Sequence, residues 1–185
     1  MIFTIGHSTR SAEDFLELLR AHDIRQLADI RTFPRSRRHP QFSRDALEAL
    51  LQGNGITYRH FADLGGRRKP RPDSTNTAWR EEGFRGYADY METPAFEQAV
   101  DSLVRFSRDE RTTVMCAESV WWQCHRRLLS DALLVRGVPV WHILSRSAPK
   151  PHELSEFARI RGASVSYPGL LEPPGVPSRC HSTDS

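Results

Sequence analysis

A chain of 185 residues fits one domain and can bury a core without disulfide or metal staples. Its 38% apolar and 26% charged residues are ordinary for a globular chain, and a formal charge of +3 permits a nucleic-acid partner without demanding one. Three cysteines do not make a secreted disulfide framework, no stretch has the length of a membrane span, and Met1 runs straight into a strand, so a cytoplasmic protein without membrane association is expected.

In chain order, Ile2 to Ile5 reads as a short buried strand that ends in Gly6-His7-Ser8. Ser11 stands as the N-cap of a helix striped by Phe15, Leu16, Leu18 and Leu19, with Asp14 at the capping-box distance. Leu27 to Ile30 is the second strand and closes on Asp29-Ile30-Arg31. Ser43 precedes a helix with Ala46, Leu47, Leu50 and Leu51 on one face, stopped by Gly53-Asn54-Gly55. Ile56 to Phe61 is a third strand, followed by a polar loop from Asp63 to about Arg80 whose length suggests function or mobility. Helices are expected over Tyr87–Met91 and over Pro94–Ser107, the latter capped by Thr93. Thr112 to Met115 is strand four, Gln123 to Arg136 a helix stopped by Gly137, and Val138 to Ile143 strand five. Pro151 to Ile160 reads as a terminal helix.

Strands alternating with helices imply parallel pairing through right-handed crossovers. The fold class expected is therefore α/β, a three-layer sandwich with a mostly parallel sheet of about five strands flanked by helices. Residues 1–160 form the domain, and the Pro/Gly/Ser-rich residues 161–185 a flexible tail.

Ligands of such sheets bind beyond the carboxyl ends of the strands. Polar clusters fall there four times: His7 and Ser8, Asp29 and Arg31, His60 with Asp63 and Gly65-Gly66, then Cys116 and Glu118. The densest chemistry lies between Thr113 and Arg126, which supplies Cys116, Glu118, Cys124, His125 and Arg126. Cys116 is the candidate nucleophile or redox thiol, against the plain reading of a buried small hydrophobe. Glu118 and His125 are the candidate proton-transfer groups. Cys124, His125 and Arg126 are placed in the first turn of a helix, where backbone N–H groups favour anions. Cys116 and Cys124 could instead pair as a redox disulfide or, with His125 and His7, hold zinc, although no short Cys-x2-Cys knuckle supports a metal. Cys180, in the tail, is assigned no role.

All the basic residues except Lys69 and Lys150 are arginine or histidine, a bias that suits planar anions and that GC-rich codons produce equally well. Arg31 to Pro40 carries Arg31, Arg35, Arg37, Arg38 and His39, with Phe33, Phe42 or Trp79 offering stacking surface. It is either a nucleic-acid contact or a solvated loop. Tyr87 and Tyr90 share a helical face and either line a pocket for a flat ring or pack on the sheet. Trp121-Trp122 cannot both point inward.

Six ordered motifs complete the reading: Thr4-Ile5-Gly6-His7-Ser8; Asp29-Ile30-Arg31 with Pro34 and Ser36; Leu64-Gly65-Gly66; Gly83-Phe84 through Met91; Met115-Cys116-Ala117-Glu118; and Cys124-His125-Arg126. Together they resemble the domain-of-unknown-function family 488, which occurs in many bacteria and archaea. The resemblance covers Met1 to about Leu144 and implies a cytoplasmic α/β domain with the Cys-x-Glu and Cys-His-Arg elements as its signature. It implies no reaction. The Trp pair occupies a spacer where relatives are expected to carry smaller residues or proline.

The functional expectation is an enzyme acting on a small anionic or nucleotide-like substrate, with nucleic acid as one form of it. Cys116, Glu118 and His125 are catalytic in this reading, and His7, Ser8, Asp29, Arg31, Arg126 and Tyr87 bind substrate. No cofactor is specified. The alternatives are a non-catalytic nucleic-acid or nucleotide-binding module and a structural-zinc regulatory protein.

Overall fold

Side-chain alternation along the first strand decides the layering. In β1 (Ile2–Gly6) Phe3 and Ile5 face one way and Ile2 the other, and all three are buried. Phe3 and Ile5 join one core cluster with the apolar stripes of α1 (Ala12–Ala21) and α2 (Arg44–Gln52). Ile2 joins the opposite cluster, filled by α3 (Glu82–Met91), α4 (Pro94–Phe106) and α5 (Arg126–Val135). The sheet lies between them. This is the three-layer α/β sandwich that the strand–helix alternation predicts, seen in a computed structural model that describes residues 1–35 and 38–169. Ser36, Arg37 and residues 170–185, with Cys180 and most of the expected tail, lie outside the described residues.

The six-stranded sheet runs in the order β3-β2-β4-β1-β5-β6, with β2 Gln26–Asp29, β3 Thr57–His60, β4 Thr112–Cys116, β5 Val140–His142 and β6 Lys150–Pro151. All neighbours are parallel except β6, which is antiparallel to β5. The register sets Gly6 opposite Cys116 and Asp29 opposite Met115 and His60. The ends of the central strands therefore lie side by side. Ser11 accepts a hydrogen bond from the Asp14 N–H, and Thr93 accepts one from Phe96, as their capping positions require.

Three expectations are corrected. α3 begins at Glu82, five residues before Tyr87. Pro151–Ile160 is not a helix: Pro151 pairs with Trp141 in β6, and the Ser155 N–H and His152 imidazole both turn to the Asp131 carboxylate instead of continuing a helical ladder. A hairpin of β7 (Arg159–Arg161) and β8 (Ser164–Ser166) follows. Val165 and Tyr167, beyond the boundary placed at residue 160, are buried. The third correction, at the start of α5, shapes the site.

The long loop after β3 is tied down at its far end. The buried Asp89 carboxylate accepts the Arg71 N–H at 2.8 Å, the Ser74 hydroxyl at 2.6 Å and the Asn76 amide at 2.9 Å. Asn76 in turn accepts the Tyr167 N–H at 2.8 Å. Burial alone would raise the Asp89 pKa, but these donors hold it below the usual carboxylate range.

Candidate functional site

β1 and β4 are neighbours whose chains leave for opposite faces, β1 into α1 and β4 into α5. Their exit loops diverge, and at this switch point a cleft of about 750 Å³ opens. His7 and Ser8 reach it from β1, and Arg31 reaches it from β2. Cys116, Glu118, Cys124 and His125 reach it from β4 and the loop beyond. Of the residues expected to converge at the strand ends, His7, Ser8, Arg31, Gly66, Cys116 and Glu118 line this cleft, whereas Asp29, Asp63 and Gly65 do not and His60 lines a separate depression.

The two thiols form the floor. Cys116 and Cys124 are both free and buried, their sulfurs within 4.8 Å of each other and of a His125 ring nitrogen. Cys124 lies outside the expected first turn of α5: Trp121–Gln123 makes a separate 3₁₀ turn, and Cys124 is extended at φ −136° and ψ 151°. His125 is the N-cap residue and Arg126 opens the helix. Hydrogen bonding to Cys124 and burial push the Cys116 thiol well up, whereas the Cys116 hydrogen bond and nearby His125 and Arg126 bring Cys124 well down despite its burial. The His125 Nδ1 lies 3.5 Å from the Cys124 sulfur.

Arg126 is not a substrate clamp. Its side chain is 1% exposed, and its Nη2 donates to the Glu118 carbonyl and, at 3.3 Å, to that of Ser119. Its Nε has no hydrogen-bond partner among the described residues. Among those residues no carboxylate pairs with this buried cation, and its charge is one of the causes that draw the Cys124 pKa down. The Glu118 carbonyl crosses so close to β1 that a Cβ at Gly6 would sit 1.8 Å from it. Gly66 is forced in the same way, since its Cβ would lie 2.3 Å from the His125 ring. The Gly65-Gly66 pair thus serves side-chain packing.

Arg31 is also committed. Its guanidinium grips Asp29 through Nε–Oδ1 at 2.9 Å and Nη2–Oδ2 at 2.6 Å, and Nη1 donates to the Phe42 carbonyl at 2.8 Å. Asp29 is fully buried and also accepts the Tyr58 hydroxyl at 2.9 Å, so it touches no ligand. Arg31 Nη1 further points at His7 Nε2, 3.4 Å away, while His7 Nδ1 donates to the Ser8 carbonyl at 2.9 Å. Burial, with Arg31 next to it, lowers the His7 pKa to about 4. His7 is therefore neutral, with Nε2 as an acceptor. Tyr87 is fully buried, its hydroxyl donating to the Leu64 carbonyl and its ring packed 5.1 Å from that of His125. It supports His125 from behind and does not line the cleft. Ser8, at φ 51°, and the exposed Glu118 remain as expected on the cleft wall.

Sequence reasoning missed the support beneath the loop. Thr4, His142, His152, Asp131 and Tyr167 form one buried chain. Its links are Thr4 Oγ1 to His142 Nδ1 at 2.7 Å, His142 Nε2 to His152 Nδ1 at 3.0 Å, and His152 Nε2 and the Tyr167 hydroxyl to Asp131, both at 2.8 Å. No local motif announces it, because its members come from five separate segments. Trp121 stacks on His142 with centroids 4.0 Å apart and planes at 6°, while Trp122 is 45% exposed. Trp121→Ala is accordingly expected to loosen the loop and speed amide exchange over residues 117–124, with Trp122→Ala unchanged, as read by hydrogen exchange.

Cys116, Cys124 and His125 also place one donor atom each within 4.8 Å of one another, a set that fits a three-ligand zinc site open to the cleft. Above the floor, Arg35, Arg38 and Arg67 line the cleft with the rings of Phe33 and Phe84. No helix among the described residues is long and apolar enough to cross a membrane. No curated protein and no solved structure gives a significant match. The family described as Domain of unknown function DUF488 matches residues 11–133, which take in β2, the glycine pair, both thiols, Glu118 and the Cys-His-Arg turn. The chain belongs to that family.

Proposed function

We propose that the protein is a thiol-dependent enzyme acting on a small anionic or nucleotide-like substrate held in the cleft. The observation that carries this reading is the Cys116–Cys124 pair: two buried sulfurs within 4.8 Å of one another at the floor of an arginine-lined cleft, with the buried Arg126 cation behind them. A thiol pair that merely packed would need neither the cleft nor the charge. The roles expected for the two cysteines exchange. Cys124, next to His125 and Arg126, is the thiolate, and Cys116 is its proton partner. Cys124 supplies the electron pair to an electrophilic centre of the substrate, a sulfur bond forms, and the leaving group departs with the proton held at Cys116. Water then cleaves the sulfur bond, its hydroxyl going to the substrate and Cys124 leaving as the thiolate, while Glu118 accepts the proton of the water and returns it to Cys116.

The test is site-resolved labelling with methyl methanethiosulfonate as a function of pH, read by mass spectrometry. Cys124 is expected to react with an apparent pKa well below the usual thiol value of about 8.5, and Cys116→Ser to move that value upward. A Cys124 that labels only above pH 8.5 would end this reading. The three-donor geometry supports a second one, a zinc-bound site. One zinc per chain, with labelling released only by a chelator, would establish it in place of the free thiolate.

A further inference from the structure

The rim of the cleft carries more than a small anion needs. Arg35, Arg38 and Arg67 line it from two separate loops, and among the described residues none of the three is in an ion pair. Between them stands Phe33, whose 65% exposure is the highest of any large apolar side chain described. The Arg67 guanidinium lies over its ring, 5.7 Å from the centroid. An aromatic ring held out in water beside unneutralised guanidinium groups costs hydrophobic burial and offers two binding faces at once. The ring stacks a flat base, and the guanidinium groups beside it take a phosphate.

The shape extends this. Phe33 and Arg35 line the cleft and also a second depression on the far side of the same turn, bounded by Pro34, Ser43 and His60. They form a ridge between two hollows. A mononucleotide would fill one hollow and leave the ridge uncovered, whereas a strand can cross it. Asp45 and Glu48 lie in the second hollow with Arg44, which is 3.9 Å from Glu48. Strong phosphate contacts therefore belong to the cleft side, with Arg35, Arg38 and Arg67.

We propose that the rim formed by Phe33, Arg35, Arg38 and Arg67 binds single-stranded nucleic acid, stacking one base on Phe33 and delivering the adjacent nucleotide to the thiol floor. The inference rests on the cleft being the reactive site and narrows its substrate from any nucleotide-like anion to a nucleotide within a strand. A duplex keeps its bases stacked inside and presents none to Phe33. An acidic protein would satisfy the arginines but not the exposed ring.

Fluorescence anisotropy with a labelled twelve-nucleotide oligo-dT strand tests it on the full chain. Binding is expected to weaken with salt, with a slope of log K on log salt of about −2 for three phosphate contacts. Phe33→Ala is expected to weaken binding roughly tenfold, with Phe33→Trp restoring it. Arg67→Gln should reduce the slope by about one contact. Phe33 is mostly exposed, so its variants fold. The inference is overturned by absent or salt-independent binding, by dTMP competing as well as the oligonucleotide, or by polyglutamate binding with equal affinity. Binding is read without turnover, which separates the two failures. Oligonucleotide binding by a protein with ordinary thiols would sink the enzyme reading alone. Activated thiols with no oligonucleotide binding would sink this inference alone.

Discussion

Gly6→Ala is expected to cost about 3 kcal/mol of stability and to remove the activated character of Cys124. The added methyl would lie 1.8 Å from the Glu118 oxygen, 2.7 Å from its carbonyl carbon and 3.1 Å from the Arg126 guanidinium. Backbone is not a flexible side chain, so either β1 or the loop from Ala117 must move by more than an ångström. β1 is pinned on both sides, to β4 and β5, and the loop must yield. That motion breaks the Arg126 contact to the Glu118 carbonyl and withdraws the cation from the thiols. Gly83→Ala is the control: a Cβ there meets nothing within 4 Å, and alanine in α3 should stabilise by up to about 1 kcal/mol. Urea midpoints with pH-resolved labelling of Cys124 read both effects. A tolerated Gly6→Ala would show that the loop does not pass where it is placed.

The second large effect is acid lability. His7 has its pKa lowered to about 4 and His142 to about 3, in each case chiefly by burial. His152 and Arg126 add to the effect on His142. Both groups are neutral in the folded state, while the unfolded chain takes up a proton at each below about 6.5. Their contribution is therefore complete above pH 6.5. It is lost as the pH falls towards 4 for His7 and towards 3 for His142. At about 1.4 kcal/mol per pKa unit the pair withdraws several kcal/mol, comparable with the total stability of a domain. The urea midpoint is expected to fall steeply between pH 6.5 and 4, and His7→Gln should flatten the slope by about one proton. A midpoint independent of pH over that range would mean that these imidazoles are solvated.

The fold was legible because alternation and capping are local signals. Phe15, Leu16, Leu18 and Leu19 mark the buried stripe of α1, and Ser11 and Thr93 cap as their positions suggest. The cleft was legible for a topological reason, since strand ends in a parallel sheet share one edge. The roles of individual side chains were less so. Arg31, Asp29 and Arg126 have the chemistry of ligands and the environment of struts, and only their partners distinguish the two. The segment Pro151–Ile160 misled because its helical spacing is opposed by Asp131, twenty-one residues away from His152, a competition that no local window contains.

The placing of β1 has a kinetic consequence during synthesis. It is made before the other strands of its sheet, yet its neighbours are β4, beginning at Thr112, and β5, beginning at Val140. At roughly 5–20 residues per second, translation leaves the Ile2-Phe3-Thr4-Ile5 segment without either partner for several seconds or more. The nascent chain can pair only β2 with β3 in that interval, and closure of the sheet waits on contacts of very long sequence separation. An emerging polypeptide of this design invites chaperones at the β1 segment, and release of a chain that stops before β4 favours aggregation over an ordered intermediate.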